Sequence, residues 1–193
     1  MSDDLHLATL AVHAGERGPR PDFTSVTTPV YHSVGYLYDS MDEMDAVFAG
    51  EREGYVYPRY GSPTVAAFER ALAALEGAPE AVAYASGMAA MYAALLGAGV
   101  RAGTTVVAAA DVYGATYALL DRTLRAMGVE TRFVDVTHLS ALRDAVEEVE
   151  PVAVVCEAIS NPLLKVADVP ALTAIAHDAG AALILDSTFA TPY

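Results

Sequence analysis

The chain is poor in positive charge: eleven lysines and arginines face 25 aspartates and glutamates, a formal net charge of -14. Such a surface repels nucleic-acid phosphates and anionic lipid headgroups, which excludes both as partners and leaves small polar metabolites. Cysteine is nearly absent. Cys156 is the only one, so no intrachain disulfide can form, and its place inside an apolar run marks a buried strand residue in a reducing compartment. No apolar run reaches membrane-spanning length. Met1-Ser-Asp-Asp-Leu-His6 is acidic where a secretory signal would be basic, so the expected location is the cytoplasm. Internal repeats and low-complexity segments are also missing. What remains, 193 residues at 54% hydrophobic and 19% charged, is the composition of a soluble globular protein able to bury a core.

The stretch up to Gly54 is irregular, punctuated by Gly15, Gly18, Pro19, Pro21 and Pro29. One short helix is predicted in it, Met41 to Phe48, with Ser40 as N-cap, Glu43 completing a capping box and Gly50 as the stop. Tyr31, Tyr36 and Tyr38 suggest an arm, residues 1–54, that packs on another subunit. From Tyr55 onward helix and strand signals alternate. Helices are expected over residues 64–75, 87–96, 115–127, 139–149 and 169–179, and strands over 81–85, 105–110, 131–136, 152–157 and 182–186. This succession predicts an α/β fold with a mostly parallel sheet covered by helices.

Four stretches carry chemistry, and in this pattern all fall at the carboxyl edge of the sheet, where ligands of open α/β sheets bind. Ala182 to Leu185 is an uninterrupted apolar run that reads as a strand buried on both faces. It ends in Asp186, followed by Ser187 and Thr188. A carboxylate there can keep a cationic ring nitrogen protonated, although a turn or N-cap aspartate would look the same. Tyr84-Ala-Ser-Gly-Met-Ala-Ala90 runs from strand to helix, so Ser86, Gly87 and Met88 offer free backbone N–H groups to a phosphate; a plain N-cap serine is the competing reading. In Asp111-Val-Tyr-Gly-Ala-Thr116, Tyr113 could stack on a flat heteroaromatic ring and exchange a proton, or merely pack over the sheet end. In Glu157-Ala-Ile-Ser-Asn-Pro162, Asn161 offers an amide, or only an Asn-Pro turn. Together the stretches describe sites for a phosphate, for a ring to be stacked and for a ring nitrogen to be charged. No metal is expected.

These motifs, with Tyr57-Pro-Arg-Tyr-Gly-Ser-Pro-Thr64, Ser160-Asn-Pro-Leu-Leu-Lys165 and Leu185-Asp-Ser-Thr-Phe-Ala-Thr-Pro-Tyr193, resemble the Cys/Met-metabolism family of pyridoxal-phosphate enzymes, in collinear order from about Thr9 to Tyr193. The resemblance implies a type I aminotransferase-like fold, incomplete in this chain, with residues 55–193 as the first part of the large cofactor-binding domain. It implies pyridoxal 5'-phosphate as cofactor, held by Ser86, Gly87 and Met88 at the phosphate, Tyr113 over the ring, Asn161 near the ring hydroxyl, and Asp186 with Thr188 at the ring nitrogen. Tyr57 and Arg59 match the pair that reaches the phosphate from a neighbouring subunit, so a homo-oligomer is implied, a dimer at least and a tetramer by analogy. Tyr113 and Asp186 are the implied catalytic residues.

The implied reaction is γ-elimination or γ-replacement on sulfur amino acids. Asp111-Val-Tyr-Gly114 is similar to the cystathionine γ-lyase and γ-synthase members. Ala115 stands where methionine γ-lyases carry a reactive cysteine, which makes that activity an alternative, as is O-acetylhomoserine sulfhydrylase. Lys165 is the only lysine and matches no catalytic position in the family pattern. The chain is therefore expected to be the N-terminal part of an enzyme, without its Schiff-base lysine and C-terminal domain. A non-catalytic fragment acting as a binding or assembly module is the reading from another class.

Overall fold

The computed structural model describes residues 25–191. The punctuating residues Gly15, Gly18, Pro19 and Pro21 lie outside them. The chain divides into two units, residues 1–67 and 68–193.

In the first unit, helix α1 (Met41–Phe48) begins where predicted, because Ser40 in extended backbone accepts the Glu43 N–H at 3.3 Å. The Glu43 carboxylate itself pairs with Arg52 at 3.1 Å. Gly50 takes a φ of 74°, a left-handed turn that a side chain would resist. Aromatic groups make local contacts around this helix: Phe48 meets Tyr60 edge-on at 5.8 Å, and the Tyr38 hydroxyl donates to the Tyr55 carbonyl at 3.0 Å. The Arg59 guanidinium lies over the Tyr57 ring, 5.0 Å from its centroid. Helix α2 (Pro63–Glu76) opens with proline at its first position, where no N–H is needed. Near its start, the Thr64 hydroxyl donates to Pro29 O and accepts the Tyr31 N–H.

The second unit is built on a four-stranded parallel sheet. Its strands are β1 (Thr105–Ala109), β2 (Glu130–Val134), β3 (Ala153–Glu157) and β4 (Ala182–Asp186), in spatial order β2-β1-β3-β4. Helices α3 (Gly87–Gly97), α4 (Gly114–Ala118), α5 (Leu139–Val149) and α6 (Val169–Asp178) complete it. A π-helical segment, Leu119–Leu124, continues α4.

Strand alternation assigns the side chains to two cores. Val107, Ala109, Val154 and Cys156 face Leu142 and Val146 of α5 and Leu172, Ile175 and Ala176 of α6. Val106, Ala108, Ala153 and Val155 face the other way, onto Met91 and Leu95 of α3 and Leu120 and Leu124 of the π segment. Strands with apolar residues on both faces must be covered on both, which is why β1 and β3 are central. Each fully buried leucine contributes roughly 1.5–3 kcal/mol relative to exposure.

Two expectations need correction. β4 is half-buried along its whole length, because it stands at the end of the sheet with β3 as its only strand neighbour among the described residues. Residues 81–85, expected to form a strand, form none and pair with no strand among the described residues, and the Ala83 N–H goes to the Glu69 carboxylate at 2.8 Å. Val82 and Tyr84 in that stretch are exposed. The strand order places a topological switch between β1 and β3, since the chain proceeds from β1 outward to β2 and then returns to the other side. Loops diverge there and leave a crevice.

Candidate functional site

At the carboxyl ends of the strands lies a cleft of about 290 Å³. Its lining includes seven residues singled out from the sequence: Ser86, Gly87, Met88, Tyr113, Asn161, Asp186 and Thr188. Met91, Glu157, Ile159 and Phe189 line it too and were not anticipated. Tyr57 and Arg59 belong to the first unit, where they pack on each other as described above.

One wall is the amino end of α3. Ser86 is its N-cap, with extended backbone and a side chain that accepts the Ala89 N–H at 3.2 Å. Gly87 and Met88 are the first helical residues, so their N–H groups have no acceptor within the helix and carry the positive end of its dipole. A Cβ on Gly87 would project into open space. The capping serine and the anion-binding arrangement therefore coexist, and the glycine leaves the room that a phosphate requires.

Tyr113 enters from the β1 end at the N-cap of α4, with its ring half-exposed. Its N–H donates to Glu157 Oε1 at 2.6 Å. Asn161 enters from the β3 end, and its N–H donates to Glu157 Oε2 at 2.8 Å. Its loop is closed by Ser160, whose hydroxyl accepts the Lys165 N–H at 3.1 Å and whose carbonyl accepts the Leu164 N–H at 2.8 Å. These bonds leave the Asn161 side-chain amide uncommitted.

Asp186 ends β4. Its Oδ1 accepts both the N–H of Thr188 at 2.9 Å and the Thr188 hydroxyl at 2.5 Å, and its Oδ2 takes neither bond. A turn-forming aspartate and a cleft acid are thus one residue. Glu157 stands in register with it on β3. Both Glu157 oxygens are occupied by main-chain N–H groups, so Asp186 is the carboxylate with an oxygen left for a cation. Glu157 was passed over in the sequence although it too closes an apolar run, Val152-Ala-Val-Val-Cys-Glu157. The rule that found Asp186, a carboxylate ending such a run, would have found it.

Other ionisable groups near the strand ends are committed elsewhere. Lys165 holds Asp135 at 2.9 Å and Asp111 at 3.5 Å and does not line the cleft. The Thr137 hydroxyl and then Lys165 hold the Asp135 carboxyl well below the usual carboxylate range, and Asp135 in turn raises the Lys165 ammonium. Burial, helped by the Glu157 charge, pushes the Cys156 thiol up to about 12, so it stays protonated and inert. Among the described residues no cluster of acidic, histidine or cysteine side chains is arranged to hold a metal, and no helix is long and apolar enough to cross a membrane.

A parallel sheet clothed on both faces, with a helix amino end and a strand-end carboxylate meeting in one crevice, defines an α/β protein suited to a ligand carrying a phosphate and a basic ring. The chain belongs to the Cys/Met metabolism PLP-dependent enzyme family, whose sequence profile matches residues 8–193. It is 42% identical over 192 residues to an O-succinylhomoserine sulfhydrylase of Mycobacterium tuberculosis, covering all of this chain and 46% of that protein. Among solved structures, metB from Corynebacterium glutamicum matches 98% of this chain and 47% of its own at a TM-score of 0.79 and 33% identity. A Campylobacter jejuni protein described as an O-acetylhomoserine (thiol)-lyase matches 84% of this chain and 40% of its own at 0.74 and 30%, and it carries a pyridoxyl-lysine monophosphate. The chain spans about half the length of the curated relatives it matches. The fold class expected from the sequence is that of these neighbours, and pyridoxal phosphate is the family's cofactor.

Proposed function

We propose that this chain forms one part of the active site of an enzyme that exchanges or expels the γ substituent of a homoserine-derived or sulfur amino acid. The observation that carries the reading is the convergence of Ser86, Gly87, Met88, Tyr113, Asn161, Asp186 and Thr188 on one cleft in a chain of this family. When bound, pyridoxal phosphate supplies an electron sink for carbanions at the substrate's α and β carbons. The residues supply the rest. The backbone N–H groups of Ser86, Gly87 and Met88 hold the phosphate. Asp186, kept in place by Thr188, holds a proton on the ring nitrogen. Asn161 reaches the ring hydroxyl. Tyr113 covers the ring face and delivers a proton to the departing γ group, a role typically worth about a hundredfold to ten-thousandfold.

In this reading the cofactor-bonding lysine comes from sequence outside these 193 residues, because Lys165 is held by two aspartates away from the cleft. Tyr57 and Arg59 reach the phosphate of a neighbouring subunit, with residues 1–54 as an arm between subunits. The assembly is then a dimer at least, working in the cytoplasm and extending to a tetramer. The planar fork of Arg59 suits two phosphate oxygens at once.

Similarity to an O-succinylhomoserine sulfhydrylase favours an O-acylated homoserine as electrophile, and Asp111-Val-Tyr-Gly114 favours a cystathionine-type reaction. In a γ-replacement a thiol or sulfide takes the place of the leaving group; in a γ-elimination of the cystathionine γ-lyase type the leaving group is expelled and a 2-oxoacid is released. The test offers the full-length enzyme O-succinylhomoserine with cysteine or sulfide, and separately L-cystathionine and L-methionine, following thioether formation with cysteine, homocysteine formation with sulfide, and 2-oxobutyrate release. The expected result is faster use of the activated homoserine or cystathionine than of methionine, as Ala115 implies; a clear preference for methionine would overturn the substrate assignment. The engagement of the sole lysine favours one second reading, a pyridoxal-phosphate-fold module that binds without catalysis. Borohydride reduction of the full-length protein followed by peptide mapping separates the two, since the module of this second reading has no lysine bonded to the cofactor.

A further inference from the structure

Two carboxylates end neighbouring strands at the cleft, and their surroundings divide the work between them. Glu157 on β3 is in register with Asp186 on β4 and is only 7% exposed. Among the described residues it has no cationic partner, since Lys165 goes to Asp111 and Asp135. A carboxylate withdrawn from water this far is unfavourable unless its lone pairs are met. Here two charge-assisted bonds meet them: Oε1 accepts the Tyr113 N–H at 2.6 Å and Oε2 the Asn161 N–H at 2.8 Å. Tyr113 follows β1 and Asn161 follows β3, the two strands on either side of the topological switch. One side chain, rooted in the most buried strand, therefore ties together the loops that diverge there.

We propose that Glu157 is a positioning residue of this site, fixing the main chain at Tyr113 and at Asn161 and thereby the placing of the phenol and the amide over the cleft. The proposal rests on the reading of the cleft as a pyridoxal-phosphate site. It goes beyond that reading in assigning the second carboxylate a task distinct from that of Asp186. With both oxygens already bonded to amides, Glu157 is a weaker competitor for a cationic ring nitrogen than Asp186, whose Oδ2 takes neither Thr188 bond. Glutamine cannot replace it: its amide has one acceptor oxygen and an NH₂ group, so one of the two N–H donors would face another donor. Aspartate keeps both oxygens but is one methylene too short to hold both donors from the same strand position.

The test compares the full-length enzyme with its Glu157→Gln and Glu157→Asp variants. Without cofactor, hydrogen exchange at the Tyr113 and Asn161 amides is expected to be slow in the wild type and at least ~10-fold faster at one or both in the variants. Fast exchange at both amides in the wild type overturns the proposal, whatever the cofactor does and even if neither variant folds. With pyridoxal phosphate bound, the variants are expected to retain it but to show an altered visible circular dichroism band. They should also lose about ten- to a hundredfold in kcat with little change in KM, the scale expected of a misplaced group. Since Glu157 acts through Tyr113, combining Glu157→Gln with Tyr113→Phe is expected to cost much less than the product of the two single losses. An unchanged dichroism band with multiplicative losses and a lower Tm would mean that the carboxylate only supports the fold, and would overturn the proposal. A wild type that binds no pyridoxal phosphate refutes the reading of the cleft instead, and leaves the exchange measurement to decide the role of Glu157.

Discussion

Replacing Asp186 by asparagine isolates the charge that the account places at the ring nitrogen. Asp186 Oδ1 accepts two bonds from Thr188, and an asparagine oxygen can accept both, so the turn at the end of β4 should survive. What disappears is the negative charge on Oδ2. Opposite unit charges about 3 Å apart at an effective dielectric near 20 attract by about 5 kcal/mol, and since Asp186 is half-buried the expected loss is at or below that, about 3–5 kcal/mol with the cofactor covering the cleft. At about 1.4 kcal/mol per tenfold, the chemical step should slow by roughly two to four powers of ten. Alanine should cost more, because the Thr188 bonds go as well, each worth about 0.5–1.5 kcal/mol. The assay is single-turnover kinetics on the cofactor-loaded full-length enzyme, with thermal unfolding of each variant to show that the fold is intact. An asparagine variant that turns over within about threefold of the wild type, on an unchanged fold, would refute the reasoning.

Three further outcomes are expected. Because the folded-state acidity of Asp135 lies below its ordinary value of about 4, its contribution is complete above that pH and declines as pH falls below it. The Tm gap between wild type and Asp135→Asn, measured from pH 7 downward, should therefore be constant to about pH 5 and then shrink; a gap that widens in acid would contradict the hydrogen bonds from Thr137 and Lys165. Arg59→Ala should weaken cofactor binding, and mixed oligomers with Tyr113→Phe should recover activity that neither variant has alone, since a shared site leaves one intact copy; no recovery would count against a site shared between subunits. Leu172→Ala, at a fully buried position between α6 and the sheet, should lower stability by about 2–5 kcal/mol in chemical denaturation without changing which substrates are used, and a loss below 1 kcal/mol would question the packing of that face.

Elements whose signals are local were legible in the sequence. Met41–Phe48, Leu139–Val149 and Ala182–Asp186 form with the bounds expected of them, because a capping serine, an amphipathic repeat and an apolar run closed by a carboxylate each act within a few residues. Residues 81–85 misled because strand-like composition says nothing of whether a neighbour is present to complete the ladder. The π segment at Leu119–Leu124 was read as ordinary helix, since its apolar spacing serves either winding. At the site, strand-end position was enough to bring Tyr113, Asn161 and Asp186 together, whereas Ser86 follows a stretch that forms no strand and reaches the cleft as the N-cap of α3. The strand-end position of Glu157 was legible by the rule that found Asp186, but its task was not, because its partners are main-chain N–H groups 44 and 4 residues away, which no motif records.

The central claim is that one cleft, between the amino end of α3 and the ends of β1, β3 and β4, receives pyridoxal phosphate. A crystal structure of the full-length protein grown with the cofactor tests it most directly. The phosphate is expected within hydrogen-bond distance of the Gly87 and Met88 N–H groups, the Tyr113 ring over the pyridine face and Asp186 Oδ2 on the ring nitrogen. A cofactor bound with its ring nitrogen away from Asp186, or its phosphate away from the start of α3, would contradict it.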